Sequence, residues 1–547
     1  MKKWTVLVVL VSGLTFLSFT PTADRYFEIA KNLDIFAGAF REINTYYVDE
    51  VNPNTLMRTG IDAMLASLDP FTNYIPENEV EDFRTINTGQ YGGIGAVTRE
   101  INGKTIITMM YEGYPAYRGG LRIGDEVIKM DEVELSKITI EQANQLMHGQ
   151  VGTPVSLTVR RLGVRDPIKL QFKREKIKIS NVPYFGMIGG NVGYLRLSNF
   201  TPDAGKEVRA AVVSLKESGA KAIVLDLREN PGGLLDEAVK ICNIFLPKGK
   251  LVVTMKGKIA EFNSTYNTEM PPTDLEIPVA VVINRNSASA SEIVAGTLQD
   301  YDRAIIVGEK SYGKGLVQLT RQLGYNSQVK ITTAKYYTPT GRCIQVLDYS
   351  HRRPDGSVGS VPDSLKKEFK TANGRTVYDG GGIDPDINLS HPELAPISEA
   401  LLNQGLIFDY ATLYASKHAT IGEARNFSFT DADYQDFVGW LKTKSYTYQS
   451  PLEDQLQRLK TTAKAERLYD ELKTPIDQLQ TLLAESRKND LNTYKEELRK
   501  LLEEEIVGRY FMERGKVEVT FKDDPEIRKS VEVLLASAQY NKILSRP

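Results

Sequence analysis

The segment from about residue 175 to residue 390 alternates apolar stretches with helical patterns, and this alternation limits the fold most strongly. Strands are predicted at VGYLRLSNF, KAIVLDLR, IPVAVVIN, RAIIVGEK and VKITTAKYY. Helices are predicted at DAGKEVRAAVVSLKES, LLDEAVKICNIF and SEIVAGTLQDY. Continuous apolar strands with helical crossovers indicate a mostly parallel sheet that is covered on both faces.

The flanking segments have other textures. Residues 24–88 carry apolar residues at helical spacing, and residues 89–163 predict a small β-rich module with turn glycines. After the α/β region of residues 175–394, charged helical patterns fill residues 395–547. The sequence therefore predicts a multidomain protein of α/β and α+β class with a C-terminal helical extension.

The N-terminus predicts export. Lys2 and Lys3 precede an apolar run from Trp4 to Phe19, and small residues follow up to Ala23. This is the layout of a secretory signal over residues 1–23. The run falls just short of the roughly 18 residues of a spanning helix, so an uncleaved membrane anchor is the alternative. Both interpretations place the rest of the chain outside the cytoplasm.

Charge and cysteine content exclude some functions. The formal net charge is −2, and no basic tail is present, so we expect no nucleic-acid partner. The only cysteines are Cys242 and Cys343. We expect two free thiols and no metal site, although the sequence leaves a disulfide open.

The stretch NRNSASASEIVAG, residues 284–296, must turn between a buried strand and a helix. A serine at a helix N-terminus has an oxyanion stabiliser in the next backbone N–H, as in a nucleophile elbow. The candidates are Ser287, Ser289 and Ser291. A structural alternative exists, because Ser289 and Glu292 fit the S-x-x-E capping box. The stretch alone does not decide between a cap and a nucleophile.

A nucleophilic serine needs a base. None of the four histidines follows a core strand: they are His148, His351, His391 and His418. A desolvated lysine can serve instead. Lys314 lies between two glycines in GEKSYGKGLVQL, and Gln318 is four residues on, which in a strand is the same face. An ordinary surface lysine is the alternative.

The loop LDLRENPGGLLDEA follows a predicted strand and opens a helix, so it lies where α/β proteins place ligands. Gly232 and Gly233 can offer backbone N–H groups to an oxyanion. An ordinary Pro-Gly turn is the alternative.

Together these three motifs resemble those of the C-terminal processing, or tail-specific, serine proteases. The segments LDPFTNYI and YYTPTGRCIQ…GGIDPD fit that family too, so the resemblance covers roughly residues 30–390. It implies a crotonase- or Clp-like α/β core with Ser289 as the nucleophile and Lys314 as the general base. Gln318 would orient the lysine, and the N–H groups of Ala290 and Gly233 would form the oxyanion hole.

The β module then resembles a PDZ domain. In YGGIG, the carboxylate of a peptide tail would bind at Gly92, Gly93, Ile94 and Gly95. A strand edge beside this loop could accept the tail by β-augmentation. Glycines that only form a tight turn are the alternative.

The sequence thus predicts an exported endopeptidase of the bacterial cell envelope or periplasm, with an inner-membrane anchor left open. Its expected partners are proteins with accessible C-terminal tails, and we expect no cofactor. The helical regions are candidates for homodimer or adaptor contacts. Two other functions are the alternatives: an inactive scaffold that binds C-terminal peptides, and a crotonase-like acyl-CoA enzyme.

Overall fold

The structure is a computed structural model that describes residues 21–353, 355–390 and 393–545. Residues 1–20, which carry most of the predicted signal or anchor, lie outside this part of the chain. Within the described residues, no helix has both the length and the apolar character needed to cross a bilayer. The chain divides into two compact units, Met1–Val80 with Gln318–Thr332, and Glu81–Val317 with Thr333–Pro547.

The first unit begins with α1 (Pro21–Tyr46), α2 (Pro53–Ala66) and β1 (Asn73–Ile75). Helix α2 begins at a cap in which the Asn52 side chain accepts from two backbone N–H groups, and proline occupies the first helical position. Strand β1 pairs antiparallel with residues 328–330 of the same unit.

The second unit begins with a β module. Its elements are α3 (Val80–Thr88), β2 (Gln90–Gly93), β3 (Ala96–Ile101), β4 (Lys104–Met110), α4 (Pro115–Arg118), β5 (Glu126–Met130), β6 (Val133–Glu134), α5 (Ile140–Met147), β7 (Pro154–Arg160), β8 (Ile168–Lys173) and β9 (Glu175–Lys178). The main sheet has the order β3–β4–β5–β7–β8, so β3 is an edge strand. Strands β2 and β9 pair separately as the ribbon through which the chain enters and leaves the module.

The module extends beyond its expected end at residue 163. Strand β8 pairs antiparallel with β7 from Pro154 to Val159. The turn signals after residue 160 therefore belong to a hairpin inside the sheet and do not mark a linker.

The α/β region follows. Its elements are β10 (Tyr184–Ile188), β11 (Val192–Arg196), α6 (Ala204–Glu217), β12 (Ala222–Asp226), α7 (Leu235–Phe245), β13 (Leu251–Gly257), β14 (Ser264–Asn267), β15 (Val279–Ile283), α8 (Ala290–Asp300), β16 (Ile305–Gly308), β17 (Leu316–Gln322), β18 (Gln328–Tyr337), β19 (Leu347–Arg352), β20 (Val358–Ser360), β21 (Glu368–Lys370), β22 (Thr376–Tyr378) and β23 (Ile387–Asn388). The central sheet has the order β10–β11–β12–β15–β16–β23, and every neighbouring pair except β10–β11 is parallel.

The predicted placement of VKITTAKYY in the parallel sheet is wrong. This segment forms most of β18, whose last residues pair antiparallel with β13, Tyr337 opposite Thr254. The chain reaches β18 from β17 through a short turn and not through a helix. A turn of this length joins antiparallel strands, whereas parallel strands need a longer crossover.

The C-terminal extension contains α9 (Pro396–Asn403), α10 (Leu406–Lys417), α11 (Asp431–Leu441), α12 (Pro451–Ala465), α13 (Tyr469–Arg487), α14 (Asp490–Thr493), α15 (Lys495–Thr520), α16 (Pro525–Leu535) and α17 (Ser537–Ile543). Helices α9, α10, α11 and α15 enclose a core of their own, which includes Tyr410, Phe437 and Leu502.

Both faces of the central sheet are covered, as the continuous apolar strands predict. One face packs on α6, α7 and α8. The other packs on side chains from the end of the chain, among them Ile527, Val533 and Tyr540. The hydroxyl of Tyr540 also donates to the carbonyl of Arg303 at 3.2 Å. The last helices are therefore part of the α/β core and not an appendage to it.

Candidate active site

Ser289 occupies a strained turn between β15 and α8. All five residues of β15 are buried, and α8 starts at Ala290. Ser289 is partly exposed and has φ 54° and ψ −112°. A non-glycine residue at positive φ costs free energy and persists only where its surroundings enforce it, which is most often at functional sites. The strand–turn–helix arrangement is that of a nucleophile elbow.

The neighbouring serines serve the loop itself. The Ser287 hydroxyl donates to the carbonyl of Leu227 at 2.8 Å, and the Ser291 hydroxyl donates to the carbonyl of Asn230 at 2.9 Å. Both side chains are fully buried. The partly exposed Ser289 lies between two serines that tie the turn to the preceding loop.

That preceding loop is the Pro-Gly segment, and it lies directly against Ser289. The carbonyl of Asn230 accepts from the backbone N–H of Ala288 at 3.0 Å. Gly232 has φ +96°, and a Cβ there would lie 2.6 Å from the oxygen of Ala288 and 2.8 Å from the nitrogen of Ala290. Such distances are too short for a side chain, so the two loops can approach this closely only because residue 232 is glycine.

Two backbone N–H groups beside Ser289 are unpartnered within the described chain. Ala290 is the first residue of α8, where no intrahelical acceptor exists. Gly233 forms a bridge to Phe200, but the bonds of that bridge use the carbonyl of Gly232 and the N–H of Leu234. The N–H of Gly232 is not available, because it donates to the Asn230 side chain at 2.9 Å.

The buried carboxylate of Glu292 joins the serine turn to the lysine loop. One of its oxygens accepts the N–H of Ser289 at 2.8 Å and the N–H of Lys314 at 2.9 Å. The other accepts the Ser311 hydroxyl at 2.6 Å and the N–H of Gly313 at 2.7 Å. Burial raises the pKa of Glu292 to about 7, against the opposing effect of these hydrogen bonds.

The two glycines that flank Lys314 hold its loop against residues 345 and 346. Gly313 has φ +84°, and a Cβ there would collide with Val346. Gly315 donates its N–H to the Gln345 side chain at 2.8 Å. The N–H of Tyr312 donates to the carbonyl of Ser287 at 3.1 Å, which is a second link to the serine turn.

Gln318 belongs to the first unit, and its expected relation to Lys314 rests on the sequence motif. Strand β17 begins at Leu316, so Lys314 precedes it and the strand-face argument does not apply. Within its unit, the side-chain amide of Gln318 donates to the Thr332 hydroxyl at 3.1 Å.

Comparison with known proteins assigns the family. Residues 191–351 match peptidase family S41, residues 106–161 match a PDZ domain, and residues 397–534 match the C-terminal helical domain of a probable PDZ-protease. A carboxy-terminal-processing protease of Bartonella bacilliformis is 36% identical over 342 residues, which are 62% of this chain and 78% of that protein. A probable CtpA-like serine protease of Staphylococcus aureus is 34% identical over 357 residues, 63% of this chain and 71% of that one. The chain belongs to peptidase family S41.

This S41 chain is a serine peptidase of the carboxy-terminal-processing type with a PDZ domain, and the expected family and fold class are confirmed. The photosystem II D1 C-terminal processing protease is a solved structure with 24% identity and a TM-score of 0.35, covering 65% of this chain and 92% of that one. The family assignment does not favour the alternative of an acyl-CoA enzyme.

In the PDZ domain of this S41 peptidase, part of the expected tail-binding loop is strand. Gly92 and Gly93 lie in β2, opposite Lys176 and Glu175 of β9, so they do not form an open turn. Ile94 is buried, and Gly95 has φ +78°. Strand β3, which follows, is the sheet edge that β-augmentation would use.

The described histidines lie elsewhere. His148 packs against Tyr91 in the PDZ domain with the two rings tilted, and His418 stacks on Tyr414 in the helical extension. His351 pairs with Asp348 and is exposed. His391 lies outside the described residues. These contacts of the three described histidines do not involve the serine turn.

Sequence reasoning missed several residues of this site. It treated Glu292 only as a helix cap, and it did not single out Ser311 or Asn230. It also missed Tyr336, whose buried hydroxyl donates to the carbonyl of Ser289 at 3.2 Å. The S-x-x-E pattern was the one available signal, but a local pattern could not reveal that its carboxylate also binds the lysine loop.

Proposed function

We propose that this chain is an exported endopeptidase that recognises the C-terminal tails of proteins through its PDZ domain and cleaves them through an acyl-enzyme. Ser289 is the nucleophile, Lys314 the general base, and Gln318 the residue that orients the lysine amine. The backbone N–H groups of Ala290 and Gly233 form the oxyanion hole.

The observation that carries this proposal is the serine turn. Ser289 is held at positive φ, and two unpartnered N–H groups lie beside it. Donors that are fixed before the reaction stabilise developing charge without reorganisation, which is usually the largest catalytic effect. The backbone of Lys314 is tied to the same turn through Glu292.

The reaction follows from these roles. The neutral amine of Lys314 takes the hydroxyl proton as the Ser289 oxygen bonds to the carbonyl carbon of the scissile peptide. The resulting oxyanion accepts from Ala290 and Gly233. When the C–N bond breaks, the ammonium returns the proton to the leaving amine, and an ester to Ser289 remains. Water then attacks this ester, gives a proton to the lysine, and the serine hydroxyl is restored as the acid product leaves.

The PDZ domain delivers the tail. The terminal carboxylate is proposed to bind where β2 ends, at Ile94 and Gly95 directly after the paired strand residues Gly92 and Gly93, with β3 accepting the extended chain. The two proteases compared above come from bacteria. The proposed location is therefore the bacterial cell envelope or periplasm, with residues 1–23 as a signal or inner-membrane anchor. The helical regions are proposed to hold a second copy or an adaptor, which the exposed apolar side chains of α1 favour.

The test is cleavage of a loosely folded protein with a free C-terminal tail. Ser289→Ala and Lys314→Ala should each abolish cleavage while circular dichroism and the unfolding midpoint stay near those of the wild type. Amidation of the substrate's C-terminus should raise KM, because the tail then lacks its carboxylate. Full activity of either variant would refute the assigned roles. Binding of tails by the wild type without turnover would favour the scaffold.

A further inference from the structure

The segment LDPFTNYI, residues 68–75, has a structure that the proposed function does not use. Asp69 and Thr72 are both buried. One carboxylate oxygen of Asp69 accepts the N–H of Phe71 at 2.8 Å and the N–H of Thr72 at 2.9 Å, which closes a turn before β1. The other oxygen is 3.1 Å from the Thr72 hydroxyl.

From this carboxylate, hydrogen bonds lead across the first unit to Gln318. The hydroxyls of Thr72 and Thr332 are 3.3 Å apart, and the N–H of Thr332 donates to the Thr72 hydroxyl at 3.2 Å. The Gln318 amide nitrogen is 3.1 Å from the Thr332 hydroxyl. Asp69, Thr72, Thr332 and Gln318 therefore form one chain of contacts, and all four belong to the first unit.

The carboxylate fixes the direction of this chain. A carboxylate has no proton to give, so the single hydroxyl proton of Thr72 goes to Asp69. The Thr72 oxygen is then an acceptor, and the hydroxyl proton of Thr332 turns toward it. The Thr332 oxygen in turn can only accept from Gln318. An amide can present either its nitrogen or its oxygen, and this network selects the nitrogen.

We propose that Asp69, Thr72 and Thr332 are positioning residues that fix the amide of Gln318, so that its carbonyl oxygen is the acceptor that the lysine-orienting role requires. This inference rests on the proposed function, in which Gln318 orients Lys314. Without these hydrogen bonds the Gln318 amide can flip and present its NH2 group to the lysine amine, which needs an acceptor. The segment LDPFTNYI would then determine which end of the Gln318 amide is turned toward the base.

The sharpest test is a double-mutant cycle. Thr332→Val keeps the shape and removes the hydroxyl, and we expect a kcat roughly tenfold or more below that of the wild type with KM little changed. In a Gln318→Ala background, the same substitution should cause almost no further loss. The matched control is Thr333→Val, the next residue of β18 and on its opposite face, which should be near neutral in both backgrounds.

A second measurement separates positioning from folding. A carbonyl acceptor stabilises an ammonium, so its loss should move the acid limb of the pH profile of kcat/KM toward lower pH. Thr332→Ser, which restores the hydroxyl, should return both kcat and the acid limb to wild-type values. Lys330 is close enough to Asp69 to interact with it: burial lowers the pKa of Lys330, and the Asp69 charge opposes this effect. Thr72→Val alters neither charge, so it should show the same shift of the acid limb through the hydrogen bonds alone.

Additive losses in the cycle, or a wild-type kcat for folded Thr332→Val, would overturn the proposal. These outcomes differ from failure of the proposed function itself. If Gln318→Ala cleaves like the wild type, or if cleavage does not depend on Ser289, the assigned catalytic roles are wrong. If Gln318→Ala is impaired and Thr332→Val is not, only the positioning chain is wrong.

Discussion

The backbone N–H groups of Ser289 and Lys314 donate to the same carboxylate oxygen of Glu292, at 2.8 and 2.9 Å. The residues lie on separate loops, one after β15 and one before β17. A single buried side chain thus fixes the spacing between the backbones that carry the proposed nucleophile and the proposed base.

Glu292→Gln should lower kcat roughly 10- to 100-fold, because an amide NH2 replaces a carboxylate oxygen that accepts two hydrogen bonds. The substitution therefore leaves two buried donors unpaired. KM should change little. The control is Glu237→Gln, a buried glutamate of α7 that accepts the N–H of Gly205 at 2.7 Å outside the serine turn. Steady-state kinetics of both variants check this, and equal losses of kcat in the two would contradict it.

Stability should depend on pH through Glu292. Its folded pKa of about 7 is above the ordinary 4.5, so this carboxyl stabilises the fold below pH 4.5 and the contribution is lost as pH rises to about 7. The loss is about 3 kcal/mol. Since glutamine does not ionise, the free energy of unfolding of Glu292→Gln in urea should not fall between pH 4.5 and 7. Equal falls for the variant and the wild type would refute this prediction.

The rate of cleavage should instead rise with pH over the same range, because only the ionised carboxylate of Glu292 accepts all four hydrogen bonds.

Gly232→Ala should reduce kcat on the order of 100-fold, since the new Cβ would push the Pro-Gly segment, with its proposed oxyanion donor Gly233, away from Ala290. Gly219→Ala is the matched control. Gly219 has a similar φ of +92° but nothing within 4 Å of a Cβ, so it should lose only about 1 kcal/mol of stability to backbone strain and keep its activity. If both variants retain kcat, the close approach at Gly232 has no catalytic role.

The three serines should separate into two classes. Ser287→Ala removes a buried hydroxyl that donates to the carbonyl of Leu227 and accepts the N–H of Asn284, and Ser291→Ala removes one of the two donors to the carbonyl of Asn230. Each lost set of buried hydrogen bonds should cost about 1–2 kcal/mol of unfolding free energy but little activity. Ser289→Ala should show the reverse, with stability retained and cleavage lost. Denaturant unfolding and cleavage assays on the same preparations measure both effects, and a Ser291→Ala variant that is stable but inactive would reassign the nucleophile.

Strong local patterns predicted much of the fold. The apolar runs of β12, β15 and β16 are buried on both faces and form the parallel sheet. The same approach failed for VKITTAKYY, because the sequence of a strand does not show which strand it pairs with or in which direction. It also failed for the last helices, which the sequence assigned to a separate C-terminal extension, whereas Ile527 and Tyr540 cover the second face of the sheet.

Short motifs locate the serine turn and the Pro-Gly loop in the sequence, because a strand–turn–helix and a glycine pair have local signatures. The choice of Ser289, Ala290 and Gly233 within these motifs comes from the family resemblance and stays a prediction. Glu292 could be read only as a cap, since its link to Lys314 joins residues far apart in the chain. The same holds for Asp69 and Thr332, which only the folded chain brings into one hydrogen-bonded network.

The most direct test of the account is to map where a serine-directed fluorophosphonate attaches. Mass spectrometry of the labelled, digested wild-type protein should find the adduct on the peptide that contains residues 284–296, at Ser289. Ser289→Ala should carry no label and should not cleave, and Lys314→Ala should be labelled far more slowly. An adduct on another residue, or Ser289-independent cleavage, would contradict the central claim that Ser289 is the nucleophile.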